Sequence, residues 1–329
     1  MNAPKVSIII PMHNSSATIR KCLESIFLQE SGGFEVIAVD DASSDNTAKI
    51  AKNFPCLVFS LGKNSGQAKA RNFGAAGAKG NILVFIDSDI VLEKNSLKNI
   101  VEGIEKKGFD AVGGIVSGNF ESRGIVSFYK NAHHHYFLLE IDARARIISG
   151  FFMAIKKSVF LGAKGFNESF REAEDIEFSQ RLQSLGAKIL FDKKIRVNHI
   201  QRYSLPPLLR GDFMKGFYWA RLLPKTGFSA VLKEKRFTNR PLGLLLGILF
   251  SLCFFLSAIA LLLLGNQALA FPALLSLFLF VWADAGFFAF VAGRKGFLFL
   301  FPVIALRLLD LFAIGLGAMA GFFRGFFSA

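Results

Sequence analysis

Asp87-Ser88-Asp89 sets two carboxylates one residue apart, directly after the apolar run Ile82-Leu83-Val84-Phe85-Ile86. That run is rich in β-branched and aromatic residues and is bounded by Gly80-Asn81, so it reads as a buried strand. Acids at the carboxyl end of such a strand face the crevice where open α/β sheets bind ligands. Hard oxygen ligands placed there suit Mg²⁺ or Mn²⁺ held together with substrate phosphates. A D-x-D alone also fits a solvated loop with two incidental acids. Its weight comes from what else falls beside it: Asn14, Asp40 and Asp41 close earlier apolar runs, and Glu174-Asp175 open a later helical pattern.

The elements that must position these residues alternate between strand and helix. Val6–Ile10 reads as a strand ended by Pro11, and Ser16–Gln29 as a helix with Ser15 or Ser16 as its N-cap. Glu35–Val39 is the next strand, a helix starts in 43–47 and runs to Lys52, and Cys56–Ser60 is a third strand. Gly66–Ala78 has helical spacing and leads to the 82–86 strand. Ile147–Ile155 reads as a strand interrupted by Gly150, Ser158–Leu161 as a short helix, and Lys188–Phe191 and Ile195–Val197 as short strands before His199. This order implies an α/β domain with a mostly parallel sheet and helices on both faces, over 1–200. The strand ends, with Asn14, Asp40, Asp41, Asp87 and Asp89, then gather at one edge. One acid at a strand end usually caps a helix; several at one edge are better explained by a site. Acids such as Glu174 and Asp175 in a first helical turn also complement the helix dipole.

Charge and hydropathy divide the rest of the chain. The net charge of +14 is localised: Lys188 to Arg240 holds thirteen Lys/Arg against Asp192, Asp212 and Glu234. From Arg202 onward basic residues interleave with Leu208, Phe213, Phe217, Tyr218 and Trp219, which suits an amphipathic helix at a membrane surface over 201–241. Nothing resembles a motif that reads DNA or RNA, so no nucleic-acid partner is expected. Residues 242–329 are almost wholly apolar. Leu242–Leu264 would extend ~35 Å, enough for a ~30 Å hydrocarbon core; 268–292 and 297–323 are two further candidate spans, the last of which could instead be re-entrant or interfacial. Basic residues at 225–240 and 294–295 would share one side, placing the N-terminal domain in the cytoplasm of a multi-pass protein of the cell (inner) membrane. The opening strand is too short for a secretory h-region, so no signal peptide is expected. Inside the spans, Asp284 and Arg307 fall at matching depth and suit an interhelical pair, while Asp310 offers Arg307 a partner at i,i+3. Cys22, Cys56 and Cys253 have no metal spacing and read as buried fillers in a reducing compartment.

Five segments, in order, resemble the family 2 inverting glycosyltransferases. They are Val6–Asn14, Val39–Thr47, Asn64–Asn72, Asp87-Ser88-Asp89 and Glu174-Asp175. The resemblance covers roughly 4–200 and implies a GT-A fold that uses a nucleotide-sugar donor with Mn²⁺ or Mg²⁺. It implies that Pro11–Asn14 and Asp40 or Asp41 hold the base and ribose, with Asn64, Arg71 and Glu174 also in the donor pocket. Asp87 would contact the ribose side, Asp89 would bind the metal, Asp175 would be the general base, and His199 would help hold metal or diphosphate. His133-His134-His135 is a tempting metal cluster, but consecutive residues in regular structure cannot all address one ion.

The chemistry is coherent on its own terms. Displacing a nucleoside diphosphate from an anomeric carbon builds negative charge on the leaving group, which a divalent ion stabilises. A carboxylate on the opposite face removes the acceptor proton during in-line attack. The sequence departs from the processive polysaccharide synthases in lacking Gln-x-x-Arg-Trp, so single-sugar transfer is expected, to a polyprenyl phosphate or lipid-linked glycan held in the membrane. Two rival readings are a nucleotidyltransferase, for which Pro11–Ser16 lacks a Gly-rich basic loop, and a non-enzymatic membrane adaptor, against which Asp87, Asp89 and Asp175 stand.

Overall fold

A computed structural model describes residues 4–30, 33–118, 124–139, 148, 150–170, 174–200, 202–226 and 241–327. The expected strand start at Ile147, the 171–173 stretch before Glu174 and the basic 227–240 stretch lie outside the described residues. The chain divides into two compact units, Met1–Glu121 with Phe137–Gln201, and Ser122–Tyr136 with Arg202–Ala329.

The first unit is a sheet between helices. In chain order it runs β1 (Val6–Met12), α1 (Ile19–Phe27), β2 (Phe34–Asp40), α2 (Thr47–Ala51), β3 (Leu57–Ser60), α3 (Gln67–Gly77), β4 (Ile82–Ile86), β5 (Ile90–Leu92), α4 (Ser96–Val101) and β6 (Ala111–Val116). Helix α5 (Ile125–Leu139) crosses into the second unit, and β7 (Phe152–Lys156), α6 (Lys157–Gly162), α7 (Glu174–Ser184) and β8 (Ile189–His199) complete the first. The strand order is β3-β2-β1-β4-β7-β6-β8-β5. Pairing is parallel from β3 to β4 and again between β6 and β8; β7 runs antiparallel to both β4 and β6, and β5 antiparallel to β8. Continuous apolar runs are needed because both faces are covered. Ile8, Ile10, Val36, Ala38, Val84 and Ile86 enter one core, while Ile9, Ile37, Val39, Leu83 and Phe85 enter the other, which is the period-two alternation of a strand.

Several expected boundaries move, each for a local reason. Strand β1 continues through Pro11 to Met12. Its pairing with β4 stops at Ile9, while on the β2 side the Met12 carbonyl accepts from Asp41 N–H at 2.7 Å, so residue 11 faces the side where no ladder continues. Helix α1 starts at Ile19, not Ser16, and its first turn is closed by the Ser15 carbonyl, which accepts from Thr18 and Ile19 N–H, rather than by a serine side chain. The strand expected over 147–155 is confined to Phe152–Lys156, because Gly150 leaves the ladder to meet Asp175. The two short strands before His199 are one strand, with the register irregularity against β6 between Gly113 and Ile115.

The second unit is helical: α8 (Leu205–Thr226), α9 (Pro241–Leu264), α10 (Ala270–Ala283), α11 (Ala285–Lys295) and α12 (Leu300–Phe327), with the 125–136 part of α5. Residues 125–136 join these helices because Tyr129, His133 and Tyr136 pack on Phe287. Among the described residues, two helices are long and apolar enough to cross a membrane, Leu242–Leu264 and Phe297–Arg324. The second expected span is not one straight helix: 267–283 and 285–295 meet at 74°, with Asp284 non-helical at the break. The break therefore falls in the second segment, and the third segment is the continuous one. Arg307 satisfies both partners expected of it, with Nε donating to Asp284 at 2.6 Å and Nη1 to Asp310 at 3.1 Å. Tyr129 Oη also donates to Asp310, and Lys130 pairs with Asp212 at 2.9 Å. Helices α8 and α12 meet at small residues. A Cβ on Gly317 or Gly321, four residues apart, would overlap the carbonyls of Phe213 and Phe217, and one on Gly216 would overlap that of Ile314. Cys22 is buried and Cys56 partly so, but Cys253 is exposed on α9, whose apolar surface is suited to lipid rather than to a protein core.

Candidate active site

The order β2-β1-β4 makes β1 a switch point: successive parallel connections leave it in opposite directions, which opens a crevice at the strands' carboxyl ends. Three loops line that crevice and are bonded to one another. Asn14, at φ +49°, donates its N–H to Ser43 Oγ at 2.9 Å and accepts from Ser44 N–H at 2.8 Å through Oδ1. His13 Nδ1 lies 2.8 Å from the Asp41 carbonyl, and Ser15 Oγ lies 2.7 Å from Ser88 Oγ, in the middle of the D-S-D turn.

The adjacent acids at 40 and 41 are not equivalent. Asp41 accepts from Ser65 N–H at 2.7 Å and Gly66 N–H at 2.8 Å, one bond per oxygen, and so holds the loop carrying Asn64 at the start of α3. Gly66 sits there at φ +92°, where a side chain would strain the backbone. Asp40 is also buried, but its Oδ1 accepts no hydrogen bond among the described residues. Asp41 is thus spent on the loop, whereas one oxygen of Asp40 is left without a hydrogen-bond partner among the described residues. Pro11 is buried in β1, and Asn64 is exposed on its loop.

Arg71 ties together residues distant in sequence. Its Nη1 donates to Glu174 Oε1 at 2.6 Å, and its Nη2 to Asp87 Oδ1 at 2.7 Å and Gln67 Oε1 at 2.9 Å. Burial pushes the Glu174 carboxyl up to about 7, opposed by the Arg71 charge and reinforced by Asp175. Burial also raises Asp87, again opposed by Arg71. A second, backbone tie runs alongside: Asp87 N–H donates to the Phe151 carbonyl at 3.0 Å, and the preceding Gly150 N–H donates to Asp175 Oδ2 at 2.8 Å. Asp175 Oδ1 accepts from Ile176 N–H at 2.8 Å, so the half-buried carboxylate is held in one orientation.

His199 is brought to Asp89 by register. Ile90 pairs with His199 across β5 and β8, which leaves Asp89 Oδ1 and His199 Nε2 3.6 Å apart. The Asp89 oxygen is buried and accepts no hydrogen bond among the described residues. Two ligands at roughly 2.1 Å from one octahedral ion stand about 3 Å apart when adjacent and about 4 Å when opposite, so this pair fits a shared Mg²⁺ or Mn²⁺. Among the described residues no three His, Cys, Asp or Glu side chains converge on a metal position. Such an ion would rely on water and substrate phosphate for its other ligands, as Mg²⁺ commonly does. The 133–135 histidines belong to the second unit, where the rings of His133 and His135 pack against Phe287 and Phe290.

Residues 7–161 match the family description Glycosyl transferase family 2. The chain carries a family 2 glycosyltransferase domain. It is 31% identical over 180 residues to a glycosyltransferase of Haemophilus influenzae, covering 54% of this chain and 61% of that protein. It is 26% identical over 220 residues to glycosyltransferase AglE of Haloferax volcanii, covering 65% of this chain and 72% of that one. The match thus spans less than two thirds of the Haemophilus protein. A mannosyltransferase from Pyrobaculum calidifontis, solved with GDP-Man and Mn2+, superposes with a TM-score of 0.58 at 17% identity over 97% of this chain and 88% of that one. That likeness shows the GT-A-like fold of the glycosyltransferase domain.

Sequence reasoning missed two contributors. Gln67, which steadies Arg71, was open to discovery as its i−4 neighbour on a helix. Gly150, which orients Asp175, carries no local signal because its role depends on where β7 begins.

Proposed function

We propose that this chain transfers one sugar from a nucleotide-sugar donor to a membrane-held acceptor, a polyprenyl phosphate or lipid-linked glycan, with inversion at the anomeric carbon. The observation that carries the reading is the convergence at the carboxyl edge of the sheet. There Asp87, Glu174 and Asp175 are held by one arginine and one backbone turn, next to the Asp89–His199 pair. Pro11–Asn14, Asp40 and Asn64 line the base and ribose side, with Asp41 shaping the loop, and Asp87 borders the ribose. Asp89 and His199 would hold Mn²⁺ or Mg²⁺, which would supply positive charge to offset that of the departing diphosphate. Asp175, fixed by Gly150 N–H, accepts the proton of the acceptor hydroxyl or phosphate as it attacks from the opposite face. The mannosyltransferase bound to GDP-Man and Mn2+ supports this donor class. The two candidate spans with the bent helix pair between them, and basic clusters at 225–240 and 294–295 that share one side when that pair crosses, support a multi-pass protein with the catalytic domain at the cytoplasmic face.

The test is nucleoside diphosphate release by the full chain in detergent. A panel of nucleotide sugars is supplied with Mn²⁺ or Mg²⁺ and with polyprenyl phosphate or membrane lipid extract, beside Asp89→Ala and Asp175→Asn. Release that needs metal and lipid, and that falls at least ~100-fold in both variants, is expected. Pyrophosphate release instead would indicate nucleotidyl transfer, and no release from any donor would favour a non-catalytic adaptor.

A further inference from the structure

Arg71 is placed where a ligand-binding arginine would not be. It is 1% exposed, in the middle of α3, with its guanidinium 5.4 Å from the Phe166 ring centre. Both terminal nitrogens are occupied by Asp87, Glu174 and Gln67, and the buried Nε has no partner among the described residues. Burying a guanidinium is costly unless its charge is matched closely by partners. Here the matching partners are the residue that starts the D-S-D turn and the residue that precedes the candidate base. A planar fork donating to two carboxylates fixes their separation and mutual orientation in a way a flexible ammonium cannot.

We propose that Arg71 is a positioning residue that couples the two halves of the site: by holding Asp87 and Glu174 on one guanidinium, it sets where Asp89 stands relative to Asp175. Arg71 touches neither donor nor acceptor. Its effect reaches the reaction through the neighbours of its partners, so displacing it misaligns the leaving-group side against the proton-accepting side without opening the nucleotide pocket. Gln67, one turn earlier on the same helix, narrows the orientations open to the fork.

This inference rests on the glycosyl-transfer reading, and its test separates the two. The full chain in detergent is compared with Arg71→Lys, Glu174→Gln and the double variant. Glu174→Gln keeps the shape of the side chain, so it remains informative if Arg71→Lys folds poorly. Expected are a kcat at least 30-fold lower in each single variant and a donor KM and nucleoside diphosphate affinity within threefold of wild type. The double variant should be within threefold of the worse single, because both break one tie. A risen donor KM with kcat retained would make Arg71 a donor contact and overturn the proposal. So would wild-type kcat per folded molecule with only a lowered melting temperature, or losses that multiply in the double variant. An inactive wild type would sink the transfer reading itself. In that case the same set is read by thermal melting, where additive losses overturn the coupling and a double variant no worse than the worse single supports it.

Discussion

Gly150 is the most economical place to disturb Asp175 without touching its chemistry. A Cβ at residue 150 would lie 3.0 Å from Asp175 Cβ and 3.3 Å from Oδ2, closer than comfortable van der Waals contact. Gly150 is not among the positive-φ glycines, so an alanine there is tolerated by the backbone. Gly150→Ala should therefore push the carboxylate aside by a few tenths of an ångström and weaken the 2.8 Å bond that orients it. A misplacement of ~1 Å costs on the order of 100-fold in rate, so a shift about half as large should lower kcat roughly tenfold. The overpacking should cost about 1 kcal/mol of stability, too little to unfold the domain. The assay is nucleoside diphosphate release at saturating acceptor with the donor varied. A kcat within twofold of wild type, or a donor KM that rises while kcat holds, would refute the assignment of Gly150 and Asp175 to the proton-accepting side.

Three further outcomes follow from the same geometry. Arg307→Leu strands the buried Asp310 and the partly buried Asp284 and should cost about 3–5 kcal/mol, while Asp284→Ala leaves Arg307 with Asp310 and should cost about 1–3 kcal/mol; thermal unfolding in detergent should show the double variant losing at least ~1 kcal/mol less than the sum, and additivity would refute the pair. Because burial raises Glu174 to about 7, the folded state holds a proton that the unfolded chain releases near pH ~4.3. The associated stability is present below ~4.3 and lost as pH rises through about 7; relative to Glu174→Gln, wild type should lose on the order of 2–4 kcal/mol between pH ~4.5 and ~8, and parallel melting profiles would contradict this. Gly317→Leu should lower the melting temperature by several degrees by forcing α8 off α12, whereas Gly293→Leu, with open space around it, should not; equal effects would refute the glycine seam.

The sequence by itself determined what depends on local chemistry. Short apolar runs rich in β-branched residues and ending in acids read as strands delivering carboxylates to one edge, and the D-S-D turn, the Glu174-Asp175 pair and the five ordered segments together pointed to the class of domain. The uncharged 242–264 run was likewise readable, since length and hydropathy alone decide whether a helix can span a bilayer. Long-range pairing decided the rest. The difference between Asp40 and Asp41 depends on which of them the 64–66 loop folds over, and His199 reaches Asp89 only through the β5–β8 register. Arg71 joins Asp87 to Glu174, 103 residues along the chain from it, and Gly150 meets Asp175 because β7 is inserted antiparallel between β4 and β6. The break at Asp284 could not be read from hydropathy, which registers how apolar a segment is but not where a carboxylate leaves the helix to meet an arginine on another. Sequence patterns report what each residue prefers next to its neighbours, whereas these contacts are set by which distant elements the sheet and the packed helices bring within bonding distance.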